Sequence, residues 1–324
     1  MNKKENKTMS VYKNEYFGIA RKIVSNMTEE SWQDIPHVTM SYEADVTDLM
    51  AELNKLNATN PQKITINTLM LKIICEGLKA APKMNSTLEF NKKLVRGKLS
   101  YHDEIDISMP MILKTGEMMT VNMHDMGNKD LNEMTAAIGD TVRRANNSDM
   151  NEVMYEVSFD NTVTGLKKGK IGQTLGRLYG SKMPGKHQVK TLQGQEKKDY
   201  YAIPEEDRLT KHDIEQGTTT ISNMGSVHRN QKGQCFLLEI IPPQVSAFAV
   251  NSIQKRPVVV EDKFGNDKIE VRKILPITVA IDHRALDYGD TVPFFNKLDE
   301  IFENPEIISE WVKSENKKAE EDVA

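Results

Sequence analysis

Cysteine is scarce in this chain, and the scarcity is informative. Only Cys75 and Cys235 occur among 324 residues, far apart and in no CxxC pair. A disulfide framework and a zinc knuckle are thereby excluded. Long apolar runs are missing as well: nowhere do eighteen consecutive apolar residues occur, which removes a transmembrane span. The opening MNKKENKTMS is polar and no apolar stretch follows it, so no secretory signal is expected. Basic charge is not in excess; the formal net charge is −4 and the pI is near 6.0, which argues against a nucleic-acid partner. No internal repeat occurs. What is present, 38% hydrophobic and 28% charged residues, is ordinary globular composition, enough for one large domain or two small ones with a sizeable core. The expectation is a soluble, cytoplasmic protein.

Between charged ends the pattern alternates helix and strand. Residues 1–15 are expected to form a mobile lead-in and 313–324 a disordered charged tail, because neither can bury enough apolar surface to offset ordering entropy. Helical periodicity marks 16–31, 47–56 with Thr47 as N-cap, 66–81 ending at Pro82, 131–145, and 291–302 with Asp290 as cap. Strand patterns mark 35–46, 105–113, 116–123, 218–223, 235–241, 245–253, 258–262 and 268–273. Lys114–Thr115 and KFGN (263–266) read as turns, and ILPITVAID (274–282) reads as a buried strand. Residues 146–206 break this rhythm with many glycines and a basic cluster, and read as a long surface insertion or a small accessory element.

The densest chemistry lies in AIDHRALDYGD (280–290). His283 directly follows the apolar strand and precedes a helix, a position that fixes a side chain while leaving its tip near a cleft. Asp287 lies four residues on, within reach of Arg284 or another arginine. A neutral imidazole restrained in this way can take a proton from a thiol or hydroxyl near neutral pH. Alone, HxxxD is more often structural than catalytic.

DHRALDYG resembles the DHRxxDG signature of the acyltransferase catalytic domain of 2-oxo acid dehydrogenase complexes, a family related to chloramphenicol acetyltransferase. ESWQDIPHVTMSYEADVTDL (30–49), APKMNSTLE (81–89), DRLTKHDIEQGTTTISNMG (207–225) and IIPPQVSAFAVNSIQKRPVV (240–259) are similar to further family segments, in the family's order. The similarity runs over residues 16–145 and 207–308, within an expected catalytic domain of 16–312. It implies an α/β fold, a chloramphenicol acetyltransferase-like two-layer sandwich with a mixed β-sheet. It also implies transfer of an acyl group between coenzyme A and a thiol acceptor such as dihydrolipoamide. His283 matches the general base, Ser222 the hydroxyl that stabilises the oxyanion, and Asp287 a carboxylate that steadies the site through an arginine. Arg21 is the expected arginine, with Arg284 and Asn223 as supporting residues. The implied assembly is a homotrimer or larger, with base and oxyanion donor from different subunits. Coenzyme A enters as substrate, and no metal, nucleic acid or membrane is implied.

Three departures qualify the resemblance. Tyr288 stands where the family has glycine, with Gly289 displaced by one. Residues 1–15 are expected to leave no room for a lipoyl domain, so a lipoyl group would come in trans from a separate protein. The 146–206 segment stands where the family has a short link. Two rival functions follow: acyl transfer to a small hydroxyl or amine acceptor, or a non-catalytic trimeric scaffold. Other motifs read as structural. His37 is expected to be a satisfied strand histidine, and His124 with Asp125 a solvated turn. GSKMPGKH (180–187) begins like a phosphate loop but ends on His187 in place of Ser or Thr, and is rejected. Lys167, Lys168, Lys170, Arg177, Lys182, Lys186 and Lys190 are expected to form a solvated basic loop rather than a docking site for coenzyme A phosphates or an acidic partner.

Overall fold

The computed structural model describes residues 12–112, 116, 118–157 and 191–312. The Lys114–Thr115 turn, the phosphate-loop-like motif, the basic cluster of 167–190 and the charged tail lie outside these residues.

Helix α1 (Ile19–Asp34) leads into strand β1 (His37–Asp45), followed by α2 (Thr47–Thr59) and α3 (Ile66–Ala80). A two-stranded hairpin, β2 (Ser86–Asn91) and β3 (Arg96–Tyr101), comes next, then β4 (Ile107–Ile112), β5 (Met118–Met123) and α4 (Leu131–Asn146). After α5 (Gly194–Ala202) come β6 (Thr219–Asn223), β7 (Ser246–Val250), β8 (Gln254–Glu261), β9 (Asp267–Asp282) and α6 (Tyr288–Glu303). The main sheet runs β1-β9-β7-β6-β4-β5, with β8 paired to the outer half of β9. Pairings β4–β6 and β6–β7 are parallel and the others antiparallel, so the sheet is mixed.

Successive strand residues face opposite sides of the sheet, and the two sides differ in size. Ile221, Phe248, Val250, Ile277, Val279 and Ile281 join Leu49, Leu69, Ile73, Phe294 and Leu298 in one apolar core beneath the helices. Burial of each such side chain contributes about 1.5–3 kcal/mol. The opposite side carries small residues, Ala247 and Ala280, covered by Ile35 and Ile240. This is a two-layer α/β sandwich on a mixed sheet, as the sequence implied. Helix α3 is its centre, with ten of its residues buried. Gly77 lets α6 approach it: a Cβ there would lie 2.6 Å from the Phe294 ring.

Several sequence readings need correction. The N-cap of α2 is Val46; Thr47 instead accepts the Lys273 N–H at its hydroxyl. Helix α6 starts at Tyr288, with Asp287 as its N-cap and Asp290 accepting the Asp287 N–H. Residues 235–241 form no strand. Apolar content alone suggested one, but these residues cross the small-residue face as irregular chain. The KIEVRK and ILPITVAID stretches are one continuous strand, β9. Around the insertion, residues 150–157 are helical and α5 packs beside them. Val153, Tyr200 and Leu209 form a second apolar cluster with Met119, Val121 and Ala145. Glu152 is fully buried, and its carboxylate accepts the Leu192 N–H at 2.5 Å and the Tyr201 hydroxyl at 3.2 Å. Among the described residues no helix is long and apolar enough to cross a membrane.

Candidate active site

His283 owes its position to the strand before it. The inner half of β9 is flanked on both edges, by β1 from His37↔Asp282 to Asp45↔Ile274 and by β7 from Ser246↔Ile281 to Val250↔Ile277. The Asp282 N–H donates to the Val245 carbonyl and the His283 N–H to the Pro36 carbonyl, so the ladder extends to the base itself. The chain then turns sharply, with the Ala285 and Leu286 N–H groups donating to the Asp282 carbonyl. The fully buried Asp282 carboxylate holds the turn from inside. It accepts the Arg284 backbone N–H at 2.9 Å and the Arg284 guanidinium at 2.6–3.1 Å.

This turn aims the Leu286 carbonyl at His283 Nδ1, 3.0 Å away. A carbonyl oxygen can only accept, so the proton resides on Nδ1 and the Nε2 lone pair is free. The side chain is half exposed, which leaves Nε2 open to a reactant. Asp287 Oδ1 lies 3.5 Å from Nδ1, beyond a good hydrogen bond. Asp287 therefore faces the histidine and not an arginine. Arg284, the supporting arginine nearest to it in sequence, is bound to Asp282, and its guanidinium lies over the Phe90 ring at 5.8 Å. Arg21 is exposed on α1, and no ion pair joins it to Asp287 among the described residues.

Ser222 lies on β6, half-buried on the small-residue side, and its hydroxyl has no hydrogen-bond partner among the described residues. Asn223 accepts the Ser226 N–H at 2.9 Å and so caps the single helical turn Met224–Val227. The register fixes how far Ser222 is from the histidine. Ser222 pairs with Ala249 and Ala249 with Thr278, which places His283 two strands across and five residues along. Strand spacing and rise convert this to about 19 Å within one chain. Within one chain the two side chains are therefore far beyond contact with each other. A surface groove of about 640 Å³ opens on the β2–β3 hairpin between Glu89 and Lys98, beside the Arg284–Phe90 contact and not over His283.

The sequence missed a brace at the start of α6. Lys83 Nζ donates to Asp290 Oδ2 at 2.8 Å, and the same oxygen accepts the Asp287 N–H at 2.8 Å. These two hydrogen bonds hold the Asp290 carboxyl below the usual carboxylate range, and the pairing with Asp290 raises the Lys83 ammonium above its ordinary value. His37 and His124 are engaged elsewhere. His37 accepts the Ile240 N–H at Nε2 and lies 2.9 Å from the Ile35 carbonyl at Nδ1, as expected. His124 does follow the strand in a turn, as expected, but it is partly buried. It is 3.2 Å from Asp106 and stacks on His212 with centroids 4.0 Å apart. Among the described residues no three His, Cys, Asp or Glu side chains gather in a way that could hold a metal ion. The Cys75 thiol is buried in α3, and burial pushes it up to about 12, so it is no nucleophile at neutral pH.

His283 thus stands at a strand end of a mixed sheet, with Nδ1 held by a backbone carbonyl and half of its side chain exposed. The sequence model for the 2-oxoacid dehydrogenases acyltransferase (catalytic domain) matches residues 11–163 and 190–309, and the chain belongs to that family. The match takes in both ends of the 146–206 segment, which the motifs alone had left outside. One relative is the dihydrolipoyllysine-residue acetyltransferase component of the pyruvate dehydrogenase complex of Zymomonas mobilis. It is 23% identical over 288 residues, covering 88% of this chain and 48% of the relative. The chain thus spans about half the length of that relative. In structure it is similar to the cubic core of a pyruvate dehydrogenase multienzyme complex (TM-score 0.61, 17% identity, 94% and 96% of the two chains). It is equally similar to the dihydrolipoamide acetyltransferase of Azotobacter vinelandii (TM-score 0.61, 17% identity, 92% and 94%), whose structure was determined to probe a serine, a histidine and an asparagine in its catalytic mechanism.

Proposed function

We propose that this protein transfers an acyl group between coenzyme A and a thiol acceptor such as dihydrolipoamide, with His283 as general base and Ser222 as oxyanion donor. The observation that carries the reading is the fixed tautomer of His283. With Nδ1–H donating to the Leu286 carbonyl, the neutral ring carries its lone pair on Nε2. In the forward step Nε2 removes the thiol proton while the sulfur attacks the thioester carbonyl. The carbonyl becomes a tetrahedral oxyanion that accepts the Ser222 hydroxyl proton in a hydrogen bond. As it collapses, the carbon–sulfur bond to the leaving thiolate breaks and Nε2–H returns its proton to that sulfur. No acyl-enzyme is needed. Asp287, 3.5 Å from Nδ1, favours the imidazolium that exists between the two transfers. The histidine and asparagine studied in the Azotobacter relative stand four positions apart, the spacing of His283 and Asp287.

The separation of about 19 Å within one chain supports a site shared between neighbouring copies, consistent with a homotrimer or larger assembly. The test is release of free coenzyme A from a panel of acyl-CoA donors with dihydrolipoamide, for wild type, His283→Ala, Ser222→Ala and a refolded mixture of the two variants. Wild type is expected to turn over and each variant alone to be nearly inactive. The mixture should regain activity, since random assembly gives about a quarter of interfaces one intact histidine and one intact serine. A mixture as inactive as its components would sink the shared site, and an inactive wild type with every donor would remove the acyl-transfer reading.

A further inference from the structure

We infer that Lys83 and Asp290 are positioning residues for His283, acting through the first turn of α6; the inference rests on the acyl-transfer reading above. The two come from opposite parts of the chain, 207 residues apart. Lys83 is on the 3-10 turn Pro82–Met84 that follows α3, and Asp290 is the third residue of α6. Both are partly buried, with side-chain exposures of 35% and 26%, so their 2.8 Å contact is shielded more than an ordinary surface pair.

A physical chain connects this pair to the base. The Asp290 oxygen that accepts Lys83 also accepts the Asp287 N–H, which fixes where the chain enters α6. Leu286 immediately precedes that point, and its carbonyl holds His283 Nδ1–H. The Asp287 carboxylate at 3.5 Å is oriented by the same turn. Everything that sets the histidine's tautomer from its C-terminal side therefore hangs on the segment from Leu286 to Asp290. The Asp282–Arg284 clamp and the Leu286 N–H on the Asp282 carbonyl secure the N-terminal side of the loop, Leu286 itself is buried in the core, and from outside this loop and α6 the side-chain hydrogen bond described to the segment is that of Lys83. Tyr288 makes this fastening more necessary. It occupies the first helical position with its side chain mostly exposed, so no packing from that residue pins the turn. Lys83 also compensates charge, since its ammonium acts on both Asp287 and Asp290 and keeps two adjacent carboxylates compatible beside the base.

Neither residue touches the reacting atoms, so their loss should lower turnover without weakening substrate binding. The experiment uses the full-length assembly with acyl-CoA and dihydrolipoamide, comparing wild type, Lys83→Met, Lys83→Arg, Asp290→Asn and the double variant Lys83→Met/Asp290→Asn. The expected result is a roughly tenfold lower kcat in Lys83→Met and Asp290→Asn, as for loss of an outer hydrogen-bonding partner. KM for acyl-CoA should stay within about twofold, and the double variant should be no worse than either single one. Lys83→Arg, which keeps the charge and the donor, should recover most of the rate. Amide hydrogen exchange over residues 283–292 should quicken in both single variants while the Tm of the assembly changes little. An unchanged kcat in Lys83→Met, a fall matched by an equal loss in KM, or a failure of arginine to rescue would each overturn the inference while leaving the acyl-transfer reading intact. A wild type without turnover would remove that reading, and the positioning role with it.

Discussion

The two ends of the site are built on different plans. At the His283 end a buried aspartate, an arginine, a backbone carbonyl and a second carboxylate all converge on one turn. At the Ser222 end strand register alone sets the position, and the hydroxyl is held by nothing among the described residues. The difference fits the roles proposed for the two groups. A base must keep one ring nitrogen protonated and the other bare, and that demands a fixed partner. An oxyanion donor needs only the right place and a free proton, because its partner appears during the reaction. Rigidity is therefore concentrated where a proton must be sorted.

The contrast can be broken most sharply at the base itself. His283→Ala is expected to lower kcat about a thousandfold, within the range for loss of a general base, with Tm nearly unchanged; stopped assays of coenzyme A release check it. Ser222→Ala should cost about a hundredfold in kcat, the lower bound for one oxyanion donor, and KM should hold. Removing the braces should separate the two ends by stability. Asp282→Ala leaves the Arg284 guanidinium unpaired in a half-closed turn and is expected to destabilise the protein by about 2–3 kcal/mol. Asn223→Ala removes only the cap of a single turn near Ser222 and should cost about 1 kcal/mol or less; denaturant titration of both variants gives the comparison. The smallest effect concerns pH. Asp290 has its carboxyl lowered by the Asp287 N–H and by Lys83. The folded state thus favours its ionised form, so its contribution is present at neutral pH and lost as pH falls through the folded value. The Tm gap between wild type and Asp290→Asn is expected to be constant near neutrality and to close on acidification below the ordinary carboxylate range. A gap that widened in acid would contradict the brace.

The alternation of strands and helices was legible because it rests on apolar spacing, and the strand-end placement of His283 followed from a polar motif ending an apolar run. Contacts made at long range were not legible. Lys83 and Asp290 are 207 positions apart, and nothing local marks either as the other's partner. The partner of Arg284 was left open for a local reason: two aspartates flank it, and only the turn geometry decides that Asp282, buried two residues before it, takes the guanidinium. Residues 235–241 carry strand-like composition without a neighbouring edge to pair with. A site shared between subunits was implied by resemblance, and the distance that supports the proposal emerged only from the register of three strands.

Glu152 has a consequence outside catalysis. Its carboxylate clips residue 192 to a point forty positions earlier in the chain, so the exit before 158 and the return after 190 sit side by side, already fastened. One buried carboxylate thus works as a latch between two stretches of chain, and its loss would loosen both at once.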